Sequence, residues 1–126
     1  MPTVAVVGAS PDRKKFGNKC VRAYVRAGYT VYPVHPSVTE VEGLPAYRTV
    51  SEVPVGKLDR VSVYLPPAVG VTAMAEVAKK PVGEVWLNPG ADTAEVVAAA
   101  KAAGLNVVLG CSIVDVGLSP RMFPDE

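Results

Sequence analysis

The sequence predicts an α/β domain built on an open, doubly wound parallel sheet with helices on both faces. Three features carry this expectation. Short Val-rich runs alternate with longer stretches in which apolar residues recur at helical spacing. Each run is nearly continuous in apolar and β-branched residues, as a strand covered on both faces must be. Most runs end at a turn containing Gly or Pro, the usual punctuation of strand-to-helix connections. With 126 residues, 49% of them hydrophobic, the chain can bury one core and has no room for a second full domain. Residues 1–126 are therefore expected to form one domain, with about 117–126 as a loose tail.

The elements follow in order. The first strand is expected over Thr3–Val7, stopped by Gly8-Ala9-Ser10-Pro11 and followed by the charged loop Asp12-Arg13-Lys14-Lys15. A helix is expected from about Gly17, because Cys20, Val21, Tyr24 and Val25 share a face while Lys19, Arg22 and Arg26 point elsewhere; Gly28 caps it. Tyr29–Val34 reads as the second strand, closed by His35-Pro36. Residues 37–57 carry Gly43, Pro45, Pro54 and Gly56 and predict turns, with one helical turn begun by Ser51. Arg60–Leu65 is the third strand, ended by Pro66-Pro67, and Ala68–Lys80 the next helix. Glu84–Leu87 is a short fourth strand ending at Asn88-Pro89-Gly90. Asp92-Thr93-Ala94-Glu95 has the form of a capping box that opens an alanine-rich helix reaching Gly104. Asn106–Leu109 is the fifth strand. Right-handed crossovers give about five strands in the order 3-2-1-4-5. The ligand crevice is then expected at the carboxyl ends of the first, second and fourth strands.

Composition excludes several functions. The net charge of +1 supplies no field for nucleic acid or membrane surfaces, and 6% aromatic content weakens a base-stacking platform. Two widely spaced cysteines build neither a disulfide framework nor a zinc site. Cys20 falls on an apolar helical stripe, and Cys111 reads as a small buried hydrophobe. The apolar runs are too short to span a membrane, and the first residues lack the form of a signal peptide, so a cytoplasmic protein is expected. The absence of glutamine is a bias of heat-adapted proteins. His35 is the only histidine and has no readable triad partner, and no carboxylates are paired, so neither a catalytic nor a metal site is expected.

The strongest local signal runs from Val4 to Asn18. A buried strand delivers Gly8 to the sheet edge and a helix begins shortly after. There the amides of Gly8, Ala9 and Ser10 and the free N–H groups of the helix can face a phosphate. Ser10 adds a hydroxyl, and Arg13, Lys14 and Lys15 add charge. A side chain at Gly8 is expected to block the phosphate while leaving the fold intact. The loop is neither GxGxxG, since Ser10 replaces the second glycine and the next glycine is Gly17, nor a P-loop. The carboxylate that a dinucleotide site places after the second strand is missing: His35-Pro36-Ser37 stands there, and no arginine is adjacent for NADP.

Three motifs together carry a resemblance. Val6-Val7-Gly8-Ala9-Ser10-Pro11, Ala27-Gly28-Tyr29-Thr30-Val31-Tyr32-Pro33-Val34-His35-Pro36 and Glu84-Val85-Trp86-Leu87-Asn88-Pro89-Gly90 resemble the CoA-binding-domain family. These are small stand-alone proteins similar to the N-terminal domain of the succinyl-CoA synthetase alpha subunit. The resemblance spans Val4 to about Val116. It implies a Rossmann-like fold holding CoA or an acyl-CoA, with pyrophosphate on Gly8, Ala9 and Ser10 and the loop residues Arg13, Lys14, Lys15, Gly17 and Asn18 close by. Adenosine would rest near Val34, His35 and Pro36, and the pantetheine arm would pass Leu65, Pro66 and Pro67.

Two departures stand out. The family often has Asn-Pro-Lys where this chain has His35-Pro36-Ser37, which removes a partner for the 3′-phosphate and predicts only a modest preference for CoA over dephospho-CoA. Asn88, a cofactor contact by the same resemblance, replaces a frequent glutamine with a shorter amide. The histidine phosphorylated in the synthetase lies in a domain without a counterpart here, so ligase activity is not implied. The expected function is a small-molecule nucleotide carrier, sensor or enzyme partner. The alternative is an NAD(P)-binding or acyl-CoA-using enzyme.

Overall fold

Val4, Ala5 and Val6 are completely buried in the computed structural model, which describes residues 1–126. They belong to β1 (Thr3–Val7), which pairs in parallel with β2 (Thr30–Val34) on one side and β5 (Leu58–Val63) on the other. Because side chains alternate across a strand, Val4 and Val6 pack on one face of the sheet and Ala5 and Val7 on the other. The first face is covered by α1 (Phe16–Arg26), through Cys20, Val21 and Tyr24. The second is covered by α2 (Pro67–Val77) and α3 (Ala94–Ala102), through Met74, Val77, Val96 and Ala100. Beyond β5 the sheet continues with β6 (Val82–Leu87) and ends at β7 (Val107–Leu109). The parallel, doubly wound α/β architecture is as expected.

The strand order corrects the expectation in one respect. The sheet runs β2-β1-β5-β6-β7, which in the five-strand count is 2-1-3-4-5 and not 3-2-1-4-5: the third strand lies beside β1 instead of outside β2. Pro33 gives the reason. Along the outer edge of β2, the Pro33 carbonyl accepts from the Tyr47 amide (3.0 Å) and the His35 amide donates to the Tyr47 carbonyl (2.9 Å). The next donor along that edge would be the nitrogen of Pro33, which carries no hydrogen. A proline confines its strand to a sheet edge, so β2 takes one residue of Tyr47 in place of a full strand. The strand order therefore reverses at β1, and the crevice opens at the carboxyl ends of β1, β2 and β5.

The unpatterned stretch 37–57 folds as a short hairpin, β3 (Glu40–Val41) with β4 (Leu44–Pro45), and a 3-10 turn at Val50–Glu52. Glu42 and Gly43 make the hairpin's tip at φ 51° and 77°. Thr93 caps α3 by accepting from the Val96 amide. After β7 come α4 (Ser112–Asp115) and a 3-10 turn at Pro120–Met122. The expected loose tail instead packs back onto α1, with Phe123 only 3% exposed. No helix is long and apolar enough to cross a membrane.

Candidate functional site

The turn after β1 is held by bonds that leave its amides free. Gly8 donates to the Val34 carbonyl (3.3 Å) and the Tyr64 amide donates to the Val7 carbonyl (2.8 Å), so the loop is stitched to both neighbouring strand ends. Ser10 Oγ accepts from the Asp12 amide and Asp12 Oδ1 from the Lys14 amide, both at 3.0 Å. The amides of Ala9, Ser10, Phe16 and Gly17 donate to no protein acceptor. Lys15, the N-cap of α1, offers no side-chain cap and the first turn holds no acid. Unfilled donors at the start of an eleven-residue helix, reinforced by its dipole, form an anion-binding arrangement.

Two cavities meet at this loop. One, of about 250 Å³, is floored by Val34, Val50, Leu65, Val69 and Val77 and bordered by Gly8, His35, Pro36, Arg48 and Glu76. The other, of about 310 Å³, is lined by Gly8, Lys15, Phe16, Gly17, Tyr64, Leu65, Pro66 and the turn Pro89-Gly90-Ala91. Gly8 and Leu65 belong to both. The second cavity shares Phe16, Tyr64 and Pro89 with a smaller one of about 130 Å³ that ends at Cys111 and Pro120. The largest cavity, about 480 Å³, lies elsewhere, between α1 and the C-terminal segment. It does not include the free amides, and the crevice at the strand ends is the better candidate.

The residues singled out from sequence separate into groups. Gly8, Val34, His35, Pro36, Lys15, Gly17, Leu65 and Pro66 line the two cavities, whereas Pro67 opens α2 and lines neither. Ala9 is buried behind the loop. Arg13 turns away, its Nε 3.3 Å from Glu42 Oε2 without hydrogen-bond alignment and its Nη1 donating to the Glu126 carbonyl (2.8 Å). Lys14 lines no cavity, so Lys15 is the cation at the second one.

Asn18 and Asn88 are ties between segments. Asn18, with no exposed surface, donates to the Ser10 carbonyl (2.9 Å) and Glu42 Oε2 (3.0 Å) and accepts from Arg22 Nε (2.8 Å). Asn88, 1% exposed, donates to Ser62 Oγ and the Val63 carbonyl and accepts from the Ser112 amide, each at 2.9 Å. Their amides are spent inside the protein and position the loops. Both had been expected as ligand contacts because a polar residue beside a glycine turn looks the same in sequence whether it faces inward or outward.

Sequence reading missed Arg48. Its main-chain amide donates to Glu52 Oε2 (3.1 Å), while its exposed guanidinium has no ion-pair partner and borders the first cavity. It gave no signal because residues 37–57 have no periodicity. Phe16 was also missed; an aromatic residue after four charged or polar ones, 58% exposed, was the available clue. His35 Nδ1 accepts from the amides of Ser37 and Val38, both at 3.0 Å, which leaves Nε2 to carry the proton.

Burial shapes the remaining titratable groups. It pushes the Cys20 thiol up to about 11 against the lowering effect of Ser62, so this sulfur is an inert core group. It raises the Tyr64 phenol far above its usual range, and that hydroxyl finds no hydrogen-bond partner. Glu76 goes the other way: the Ser51 hydroxyl (2.5 Å) and the Lys79 ammonium (2.9 Å) hold its carboxyl down to about 2 from 4.5. A depressed carboxyl stabilises the fold above its unfolded-state value and loses that contribution as pH falls through its folded one. The thermal midpoint is therefore expected to drop between about pH 4.5 and 2, and Glu76→Gln to flatten that drop in pH-dependent melting curves. An unchanged slope in the variant contradicts this.

The model of the family described as "CoA binding domain" matches residues 2–117. The chain is 34% identical over 88 residues to acetate–CoA ligase [ADP-forming] I of Archaeoglobus fulgidus, covering 69% of this chain and 13% of that one. It is 36% identical over 91 residues to the alpha subunit of acetate–CoA ligase [ADP-forming] II of Pyrococcus furiosus, covering 69% and 19%. The chain thus spans less than a fifth of the length of these curated relatives. Among solved structures, a conserved hypothetical protein from Pyrococcus furiosus superposes with TM-score 0.82 at 33% identity, covering 91% of this chain and 99% of that one. A match over nearly all residues settles the assignment: the chain belongs to the CoA-binding domain family.

Proposed function

We propose that this chain is a CoA-binding module that holds CoA or an acyl-CoA across the β1 loop and serves as a carrier or as the CoA-holding partner of an enzyme. The observation that carries this reading is that two cavities share Gly8 and Leu65, and that the second is lined by Phe16 and Gly17, whose amides are free. A ligand with a nucleoside at one end, a long arm at the other and a pyrophosphate between them fits that layout. The pyrophosphate faces the amides of Ala9, Ser10, Phe16 and Gly17, with Lys15 as counter-charge. The adenine lies on Val34, Val50 and Val69 beside His35 and Pro36, and the arm follows Leu65, Pro66 and Tyr64.

Two features favour CoA over a nicotinamide dinucleotide. No free carboxylate awaits the ribose hydroxyls, since Glu76 is engaged by Ser51 and Lys79. Arg48 stands unpaired on the adenosine side, where a 3′-phosphate would project. It takes the part of the lysine that is absent at Ser37, and the expected preference for CoA over dephospho-CoA rises accordingly. Ligation of acetate is an activity of the much longer relatives and is not extended to this chain.

Native mass spectrometry of freshly purified protein tests the reading. A bound species with the mass of CoA or an acyl-CoA is expected, either as isolated or after incubation with CoA. Retention of NAD in preference to CoA, or no complex with CoA at saturating concentration, contradicts it.

A further inference from the structure

The C-terminal segment that packs on α1 touches neither ligand cavity, yet it is connected to the phosphate loop by a short chain of hydrogen bonds. Arg22 is the hub. Its Nη2 donates to the Pro124 carbonyl (2.9 Å) and to the Arg13 carbonyl (3.1 Å), and its Nε donates to Asn18 Oδ1 (2.8 Å). Asn18 then donates to the Ser10 carbonyl (2.9 Å). Phe123, nearly buried, lies beneath the guanidinium groups of Arg22 and Arg26, at 5.8 and 4.7 Å from ring centre to guanidinium carbon. Lys19 pairs with Asp125 (2.7 Å), and Arg13 reaches the Glu126 carbonyl (2.8 Å).

The loop is therefore held from behind at two carbonyls, that of Ser10 by Asn18 and that of Arg13 by Arg22; Arg22 is bonded to the C-terminal segment, and Asn18 is held in turn by Arg22 and Glu42. The Ser10 carbonyl shares its peptide with Pro11, which has no N–H, and the Arg13 carbonyl shares its peptide with Lys14, whose amide donates to Asp12 Oδ1. The two anchors therefore act on the path of the loop, and through it on the direction of the Ser10 amide one peptide earlier. An anion site made of main-chain amides gains affinity only when those amides are already aligned. Lysine at position 22 would keep the charge but lose the planar fork that joins Asn18, Arg13 and Pro124 at once.

We propose that Arg22, clamped by Phe123 and Pro124, is a positioning residue for the phosphate loop, so that affinity for the phosphates depends on the docked C-terminal segment. The inference rests on the loop being the phosphate site of the proposed CoA complex. The ligands of the test are CoA, ADP and adenosine, titrated into the unmodified chain, Arg22→Lys and Phe123→Leu. Either variant is expected to weaken CoA and ADP at least about fivefold and to leave adenosine, which has no phosphate, within twofold. Equal losses for ADP and adenosine, or CoA affinity within twofold in both folded variants, overturn the proposal.

Hydrogen exchange in the ligand-free protein separates this from failure of the CoA reading. The amides of Asp12, Lys14 and Lys15, each bonded within the loop, are expected to exchange faster in Arg22→Lys while those of β1 and β5 do not change. If the unmodified chain fails to bind CoA, the functional reading falls, and the exchange result still decides whether Arg22 orders the loop. Unchanged exchange at all three amides overturns the inference.

Discussion

Gly17→Ala is expected to destabilise the fold by about 3 kcal/mol or more and to remove nucleotide binding with it. A Cβ at Gly17 would fall on the carbonyl of Gly8, and a Cβ at Gly8 on the carbonyl of Tyr64. Both obstacles are main-chain atoms of residues whose amides are bonded at strand ends, so neither can step aside as a side-chain tip would. Gly8 also sits at φ +92°, in the left-handed region that other residues resist. The two glycines thus let the helix start, the loop and β5 approach one another. This revises the expectation that a side chain at Gly8 would block phosphate and spare the fold. Gly28 is the control. It has a similar φ of +88° but open space around it, so Gly28→Ala should cost only about 1–2 kcal/mol, the conformational penalty alone. Urea unfolding of the three proteins checks the ranking, and Gly17→Ala within 1 kcal/mol of the unmodified chain contradicts the packing argument.

Arg48→Ala is expected to weaken CoA by about tenfold or more and to change dephospho-CoA little, because a guanidinium-to-phosphate contact is worth about 1.5–3 kcal/mol. The side chain is exposed at the cavity rim and has no acidic partner to give up on binding. Exposure also makes the contact sensitive to screening, so the CoA preference should shrink at high salt. Lys14→Ala and Arg13→Ala, by contrast, should leave the preference intact, since neither residue lines a cavity of the crevice. Parallel titrations of both ligands at two salt concentrations decide the matter. Equal discrimination by Arg48→Ala and the unmodified chain would place the 3′-phosphate elsewhere.

The parts of the molecule that local pattern controls were readable from the sequence. β1 is a continuous apolar run, Gly8 marks its end, and the stripe through Cys20, Val21 and Tyr24 sets the buried side of α1. The strand order was in principle readable too, since Pro33 in the second strand denies it an outer neighbour, but pattern reading weighs apolar runs and passes over a missing donor. Arg48 was beyond reach: its position depends on Tyr47 pairing with β2 from across an unpatterned hairpin. The docked C-terminal segment was equally hidden. Phe123 stands among prolines and charges with no periodic partner, and its burial depends on arginines a hundred residues earlier in the chain. Asn18 and Asn88 show the limit for polar residues, whose inward or outward direction is a property of the packed structure.

The central claim is that the β1 loop holds CoA, and thermal unfolding with CoA and NAD at equal concentration tests it most directly. Ligand at about a hundredfold its Kd adds about 2.7 kcal/mol of stability, on the order of 10 °C in Tm for a domain of this size. CoA is expected to give a rise of that order and NAD far less. A shift with NAD equal to or larger than that with CoA would contradict the assignment.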